Sequence, residues 1–286
     1  MTEAGKRTRH RSWGETSDAS GAILQRPHLS RRAPIRSDRG SIVGMPDPRP
    51  SQLIERPARV MVIVAHPDDA DYGPAATVAG WMDAGSVGHL VCCTSGDAGA
   101  EDPDTDPLEL ARLREAEQRA AAAIVGYEAV TFLHRPDGAL ENDLALREQL
   151  VRLIREFRPD AVLTMDPTLI FHSDGYIQHT DHRAAAMAAL DSVYPAARNA
   201  MAFPHLARAG LAPHQVARLM LFWTEEPNAW VDVSATVGRK VAALREHRSQ
   251  VREPEKLEER VLGWAREEGE RVGVPAAETL RVIRLD

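Results

Sequence analysis

Two short segments of the sequence bring imidazole and carboxylate side chains together at spacings that suit metal binding. The first motif, residues 65–71 (AHPDDAD), contains His66, Asp68 and Asp69 directly after an apolar run. The second motif, residues 176–182 (YIQHTDH), contains two histidines three positions apart. Imidazole nitrogens and carboxylate oxygens are ordinary ligands of Zn²⁺ and related divalent ions. Two adjacent carboxylates also allow one to bind a metal while its neighbour transfers protons.

Each motif alone has a purely structural explanation. A His-x-x-His pair is usually two surface histidines, and a His-Pro-Asp-Asp turn fits a helix N-cap, since Asp is favoured there and Pro suits turns. If the second motif opens a helix, His179 and His182 lie on one face, and Asp181 is placed to orient an imidazole. Both motifs follow predicted parallel strands and should meet at one edge of the sheet, which favours a joint site.

The elements that would carry these motifs alternate between strand and helix. Short apolar runs predict buried strands, and Ala-, Glu- and Arg-rich stretches that stop at Gly or Pro predict helices. The predicted strands are 60–65, 89–94, 129–133, 161–165, 219–223, 230–233 and 280–285, and the predicted helices are 77–83, 108–124, 144–157, 182–193, 236–246 and 257–268. The alternation predicts an α/β fold with a Rossmann-like, mostly parallel sheet and helices on both faces. Ligands of such sheets bind beyond the carboxyl ends of the strands.

Composition separates a basic N-terminal end from a globular body. The chain has 286 residues, of which 43% are hydrophobic and 27% charged, enough for a sizeable core. Residues 1–44 hold nine Lys and Arg against four Asp and Glu, and no apolar signal segment follows them. We expect residues 1–56, rich in Arg, Ser, Gly and Pro, to be a disordered tail, and residues 57–286 to form a single domain.

Charge and cysteine usage exclude several classes of protein. The formal net charge of −7 argues against a dedicated nucleic-acid-binding protein. No apolar run approaches the roughly 18 residues of a membrane span. The two cysteines, Cys92 and Cys93, are adjacent in a predicted strand, so they point to opposite faces and should not form a disulfide. A chain whose cysteines are not expected to form a disulfide is consistent with a reducing cytoplasm.

The two motifs, in this order, resemble those of the PIG-L/LmbE-like family of zinc-dependent N-deacetylases. The resemblance runs from about Val60 almost to the end of the chain. Its further matches are the loop 94–99 (TSGDAG), the helical segment 114–117 (REAE), the turn 136–138 (PDG), the segment 240–250 and the pair 277–278 (AE). Family members remove acetyl groups from N-acetylglucosamine units of glycolipids, pseudodisaccharides or glycopeptides, and some cleave the amide of mycothiol conjugates.

Three places depart from the family pattern. Asp71 stands where glutamate is usual, Thr180 stands where proline is usual, and residues 73–77 replace a more glycine-rich turn. None of these changes removes a metal ligand or the base that the resemblance implies. They therefore bear on the substrate more than on the chemistry.

The resemblance implies a role for each candidate site residue. The zinc ligands would be His66, Asp69 and His182, and another divalent ion such as Fe²⁺ would also fit. Three protein ligands leave the open position typical of catalytic zinc. Asp68 would be the general base, and His179, oriented by Asp181, would stabilise the oxyanion. Candidate substrate contacts are Arg114, Asp137, Tyr176 and His247. Two of these have structural alternatives, an ion pair of Arg114 with Glu117 and a helix-end capping role for His247.

The implied activity is hydrolysis of a linear amide C–N bond. The enzyme would remove an acetyl group from an N-acetylated amino sugar, a small-molecule partner, and release acetate and a free amine. The alternatives are an amidase for a mycothiol-type thiol conjugate and a catalytically silent, metal-containing sugar-binding protein. The intact Asp68 disfavours the silent protein, because a silent site would not need the base. A dinucleotide-dependent oxidoreductase is disfavoured because the first strand does not lead into Gly-x-Gly-x-x-Gly. The oligomeric state, with a homo-oligomer among the options, is not determined by the sequence.

Overall fold

A central sheet organises the described part of the chain. The computed structural model describes residues 50–172 and 175–285. The strands are β1 Ser51–Gln52, β2 Arg59–Val64, β3 Val87–Thr94, β4 Ala129–Arg135, β5 Ala161–Met165, β6 Phe171–His172, β7 Tyr176–Ile177, β8 Arg218–Phe222, β9 Ala229–Asp232 and β10 Ala277–Arg284. Eight of them form one sheet in the order β1-β9-β10-β8-β5-β2-β3-β4. β10 runs antiparallel to both of its neighbours and the other pairs are parallel, so the predicted mostly parallel sheet is confirmed.

Two layers of helices flank this sheet, as predicted. The helices are α1 Asp69–Tyr72, α2 Ala75–Asp83, α3 Pro107–Val125, α4 Leu144–Phe157, α5 Thr180–Asp191, α6 Pro204–Arg208, α7 Val237–Leu244 and α8 Pro254–Val272. α7 packs on α1, α2, α3 and α8, whereas α5 packs on α4 and lies against β2 and β5. The single α/β architecture matches the expectation from the alternating pattern.

Local signals explain why the helix boundaries agree with the sequence pattern. Asp106 caps α3 by accepting a hydrogen bond from the amide of Leu108 at 2.8 Å, and Gly126 ends the helix in the left-handed conformation. Asp143 caps α4 in the same way, through the amide of Leu146 at 2.7 Å. These signals lie within a few residues of the helix ends, so the sequence displays them directly.

The first of the described residues differ from the expectation. Ser51 and Gln52 belong to the stretch 1–56 that we expected to be disordered, yet they form β1, which pairs with β9. The amide of Ser51 donates to the carbonyl of Asn228 at 3.0 Å, and that of Leu53 donates to Trp230 at 2.8 Å. Backbone hydrogen bonds hold this strand while its side chains are exposed, so it leaves no apolar pattern in the sequence. Residues 1–49 lie outside the described residues.

The path of the chain through the sheet changes direction beside β2. From β2 the chain moves to β3 and β4 on one side, and then returns to β5 on the other side. Such a reversal leaves a gap above the carboxyl ends of the two central strands, where α/β proteins commonly bind ligands. The first motif follows β2 and the second motif leads into α5, which packs on β5. Of the helices described, none is long and apolar enough to cross a membrane.

A glycine at the end of α1 provides a test of how tightly this region is packed. A Cβ atom at Gly73 would lie 2.6 Å from Cε2 of Phe222 and 2.9 Å from the backbone oxygen of Asp69. Because the ring and the backbone have little freedom to move, Gly73→Ala should cost about 1–3 kcal/mol of unfolding free energy. Thermal unfolding measures this as a lower Tm.

Gly80 supplies the matched control in the neighbouring helix α2. A Cβ atom at Gly80 would meet the Thr236 side chain at 3.7 Å, which is ordinary contact. Gly80→Ala should therefore raise the stability by about 0.5–1 kcal/mol, because alanine has the higher helix propensity. Equal Tm shifts for the two variants would contradict this account of the packing.

Candidate metal and catalytic site

The ends of β2 and α5 bring together three buried side chains that could hold a metal. His66 follows β2, Asp69 begins α1, and His182 lies in the first turn of α5. One ligand atom from each residue lies within 4.8 Å of the others. Asp69 joins the two imidazoles, with Oδ1 at 3.0 Å from Nε2 of His182 and Oδ2 at 3.5 Å from Nδ1 of His66. Two segments that are more than a hundred residues apart in sequence thus converge on one point.

This donor set fits a divalent cation. Nε2 of His66 faces the carboxylates of Asp137 at 3.0 Å and Asp181 at 3.3 Å. Its other nitrogen, Nδ1, is therefore on the side of Asp69. An imidazole that uses one nitrogen for a metal and the other for a carboxylate is the usual arrangement in metal centres.

The electrostatics of the cluster also favour a cation. Burial by itself would lower the pKa of His66, but its contacts with Asp137, Asp181 and Asp69 raise that pKa to about 12. Burial would raise the pKa of Asp69, but His182 and His66 outweigh it and hold that pKa well below its usual range. The carboxylates thus stabilise positive charge at this point, and a proton on His66 or a bound metal ion meets the same need.

Asp68 lies beside the cluster and differs from its neighbour Asp69. Its side chain is 17% exposed, and Oδ2 lies 3.5 Å from the guanidinium of Arg114. Burial raises the pKa of Asp68 to about 6, the negative charge of Asp69 adds to this rise, and Arg114 opposes it. A carboxylate with a pKa near neutrality is suited to accept and return a proton.

His179 is positioned as the N-cap of α5. Its Nδ1 accepts a hydrogen bond from the amide of Asp181 at 3.2 Å, so the neutral ring carries its proton on Nε2. The ring lies 4.9 Å from His66 and 5.4 Å from His182, measured between centroids. Burial and the positive charge of His66 lower the pKa of His179, which keeps the ring neutral. The ring is therefore a neutral hydrogen-bond donor next to the candidate metal ligands.

The Asp181 side chain lies against a different imidazole from the one expected. Its carboxylate contacts Nε2 of His66 and accepts hydrogen bonds from the amides of Gly138 at 2.7 Å and Leu140 at 3.2 Å. These partners lower the pKa of Asp181 to about 2, against the effect of burial. The contact of Asp181 with His179 is made by its backbone amide. This correction follows from N-cap geometry, which points the amides of the first helical turn at the capping side chain.

Arg114 and Asp137, the expected contacts for sugar hydroxyls, are committed to protein partners. Arg114 is buried and donates to the carbonyls of Gly96 at 2.9 Å and Pro67 at 2.8 Å. Asp137 binds His66 and accepts a hydrogen bond from the amide of Ala98 at 2.9 Å. Both residues therefore connect the loops around the candidate metal site.

Glu117 binds Ser249 instead of forming the alternative ion pair with Arg114. That carboxylate accepts hydrogen bonds from the amide and hydroxyl of Ser249, at 2.9 and 2.6 Å. Within α3, Arg114 therefore contacts the first motif, and Glu117 contacts the segment after α7.

Tyr176 and His247, the other two candidate contacts, lie at very different depths. Tyr176 is in β7 and 37% exposed, and burial together with the charge of Asp69 raises its pKa. It therefore stays a candidate at the rim of the site. His247 is 0% exposed and its Nε2 lies 2.9 Å from Oδ2 of Asp71. Its burial corrects the expectation that His247 contacts a substrate.

Two residues near the site were not among the site candidates from the sequence, where Trp223 was expected to be a core residue. Gln118 is buried and accepts a hydrogen bond from the amide of Asp68 at 2.8 Å. Its signal is the spacing of four positions from Arg114, which puts both residues on one face of α3. Trp223, directly after β8, packs its ring 5.5 Å from that of His182 and has a φ of +53°. No sequence spacing points to that contact.

Comparisons with known proteins point to one protein family. The sequence profile of the PIG-L family, described as GlcNAc-PI de-N-acetylase, matches residues 61–193. A diacetylchitobiose deacetylase of Thermococcus kodakarensis is 32% identical over 196 residues, which cover 67% of this chain and 70% of the relative. A 1D-myo-inositol 2-acetamido-2-deoxy-alpha-D-glucopyranoside deacetylase of Kineococcus radiotolerans is 27% identical over 261 residues, covering 70% of this chain and 71% of the relative.

A solved structure shows the same similarity in three dimensions. The N,N'-diacetylchitobiose deacetylase of Pyrococcus horikoshii superposes with a TM-score of 0.73 at 30% sequence identity. The match covers 80% of this chain and 84% of that one. The similarity in three dimensions therefore extends over most of the chain.

Removal of either histidine of the cluster should release a bound metal. The purified protein should hold about one divalent ion per chain, because three ligand-type side chains converge on one point. His66→Ala and His182→Ala should each lose most of it, as measured by elemental analysis. His205 is the matched control, since it is exposed and binds Glu148 instead. His205→Ala should keep the metal, and full occupancy in both cluster variants would rule out this site.

Proposed function

This chain belongs to the PIG-L family of GlcNAc-PI de-N-acetylases, and we propose that it is a zinc-dependent hydrolase that removes the acetyl group from an N-acetylated amino sugar. The observation that carries the proposal is the convergence of His66, Asp69 and His182 on one point. Asp68, a carboxylate with a raised pKa, and His179, a neutral imidazole, lie next to it. Relatives named as deacetylases of diacetylchitobiose and of an N-acetylglucosaminyl-inositol support the substrate class.

The metal would be held by the two histidines and Asp69. Two imidazoles and one carboxylate form a set that Zn²⁺ uses in hydrolases, with positions left for other ligands. When bound, the ion supplies Lewis-acid chemistry that activates water and polarises an amide carbonyl. The contacts of His66 with Asp137 and Asp181 would fix the orientation of its ring toward that ion.

Asp68 would move the proton during the reaction. The oxygen of a water molecule forms a bond to the carbonyl carbon of the acetamide, and Asp68 accepts the proton that this water loses. The C–N bond then breaks, and Asp68 returns the proton to the leaving nitrogen. The products are acetate and a free amine. The raised pKa of Asp68 suits both halves of this transfer.

His179 would stabilise the charge that develops on the carbonyl oxygen. Because its Nδ1 accepts from a backbone amide, Nε2–H is the group left to donate. A donor already fixed at a helix N-cap needs little rearrangement as the oxyanion forms, which is the basis of this kind of catalysis. The positive end of the α5 dipole acts in the same direction.

Several finer points belong to the same proposal. Zn²⁺ is the proposed metal on the chemistry of the ligand set. The catalytic domain is proposed to comprise residues 57–286 together with the short strand β1 before them, and the family match that begins at residue 61 supports placing the catalytic motifs in this part of the chain. A cytoplasmic location is supported by the two buried cysteines, which are unpaired.

The direct test is release of free amine from N-acetylated substrates. The assay would compare diacetylchitobiose, an N-acetylglucosaminyl-inositol and a mycothiol-type thiol conjugate, before chelation, after chelation and after return of Zn²⁺. Amine should appear from at least one N-acetylated sugar, vanish with the chelator and return with Zn²⁺. Cleavage of the thiol conjugate alone would identify the protein as an amidase instead of a deacetylase. Release of amine that the chelator does not affect would contradict a metal-dependent activity.

The two adjacent aspartates should separate in the same assay. Asp68→Asn should keep the metal but lower kcat by about 10²–10⁴, the usual contribution of a positioned acid or base. His179→Ala should likewise keep the metal and lose turnover. Asp69→Asn should lose metal as well as activity. Metal content and kcat for each variant are the measurements, and a metal-free Asp68→Asn would mean that this division of roles is wrong.

A further inference from the structure

A row of buried polar side chains lies behind Asp68 and takes no part in the proposed reaction. Its members, Gln118, Asp71 and His247, are each 0% exposed. They come from α3, from α1 and from the segment after α7. Side chains at this depth do not touch a substrate, so any effect on the reaction must pass through another residue.

Hydrogen bonds connect the row to the proposed base. Oε1 of Gln118 accepts from the backbone amide of Asp68 at 2.8 Å, and Nε2 of Gln118 donates to Oδ2 of Asp71 at 2.7 Å. The same oxygen of Asp71 lies 2.9 Å from Nε2 of His247. The row therefore ends on the backbone of the residue that would transfer the proton.

The backbone of Asp68 needs such support. Its φ of +96° and ψ of −29° lie in the left-handed region, which residues other than glycine seldom adopt. Conformations of this kind persist only where the surrounding structure holds them. The turn at Asp68 also sets where its carboxylate points relative to that of Asp69, one residue further on.

The contacts define the direction of the Gln118 amide. An amide group that was turned over would put NH₂ against the amide of Asp68 and oxygen against the carboxylate of Asp71. Asp71 therefore fixes which end of Gln118 faces the base, and His247 in turn fixes Asp71. An apolar side chain of similar length would fill the space at Gln118 but would make neither hydrogen bond.

We propose that Gln118 is a positioning residue for Asp68, and that Asp71 and His247 hold Gln118 in its working orientation. This inference rests on the proposed function, because it assigns to Gln118 an effect on the proton-transfer step alone. A merely structural residue would lower stability without acting through Asp68. The two cases differ in how a change at Gln118 combines with a change at Asp68.

The test is a double-mutant cycle on kcat. Gln118→Met should lower kcat by about 10–100-fold, as for other residues that orient a catalytic group, with KM changed by less than about threefold. The metal content should stay at about one ion per chain. In the Asp68→Asn background the same change should lower kcat by less than about threefold, because the group that Gln118 positions is already lost.

A second variant and a control keep the test independent of folding. His247→Phe removes the far end of the row and should give the same pattern with a smaller drop. Arg155 is the matched control: it is also buried and donates to the carbonyls of Ala197 and Asn199, at 3.2 and 2.8 Å. Arg155→Met should lower the Tm and leave kcat per folded chain unchanged. If Gln118→Met does not fold, the cycle on His247→Phe decides.

The outcomes separate this inference from the proposed function. If Gln118→Met lowers kcat by the same factor in the wild-type and Asp68→Asn backgrounds, the positioning role is overturned. Loss of the metal in Gln118→Met would also overturn it. Full activity of Asp68→Asn would instead overturn the base itself. A cycle in which the Gln118 effect disappears only when Asp68 is replaced would establish the role.

Discussion

The concentration of carboxylate charge around one buried histidine is the constraint on which the site depends. His66 meets Asp69, Asp137 and Asp181 at distances between 3.0 and 3.5 Å. Such a group of carboxylates is stable away from water only with positive charge among them. Because each carboxylate comes from a different segment, the same requirement draws together the ends of β2, β4 and α5. Positive charge at this point therefore also stabilises the contacts between these loops.

The two adjacent aspartates of the first motif differ in their properties because of the backbone conformation at Asp68. Asp68 and Asp69 are neighbours in sequence, yet the left-handed turn at Asp68 gives them different surroundings. Asp69 lies between two imidazoles, which hold its pKa low, while Asp68 faces Arg114 and has a pKa near neutrality. One residue is therefore fit to remain a charged ligand and the other to exchange a proton. The buried polar groups of α3 support the turn that makes this possible.

The helix α5 contributes to the site through its first turn. His179 caps the helix, and His182 follows one turn later, facing Asp69. The spacing of three residues therefore sends one imidazole to the helix end and the other into the cluster. Between them, Asp181 turns its carboxylate toward the loop after β4 and closes that loop over His66. A single helical turn thus links His182 of the candidate metal site, the neutral imidazole of His179 and the loop after β4.

The sequence by itself determined the elements and the residue types of the site. Apolar strands such as β2, and helices with caps such as Asp143, are encoded within a few neighbouring residues, so their patterns predicted the alternating fold and placed both motifs at strand ends. The tertiary structure decided which partners these residues have. His247 lies 176 positions from Asp71 and Asp181 lies 115 from His66, so local spacing carried no sign of those contacts. It decided as well that β1 is a strand, because backbone pairing with β9 holds it. Hydrogen bonds between distant segments depend on how the sheet and helices pack, and that packing exists only in the folded chain.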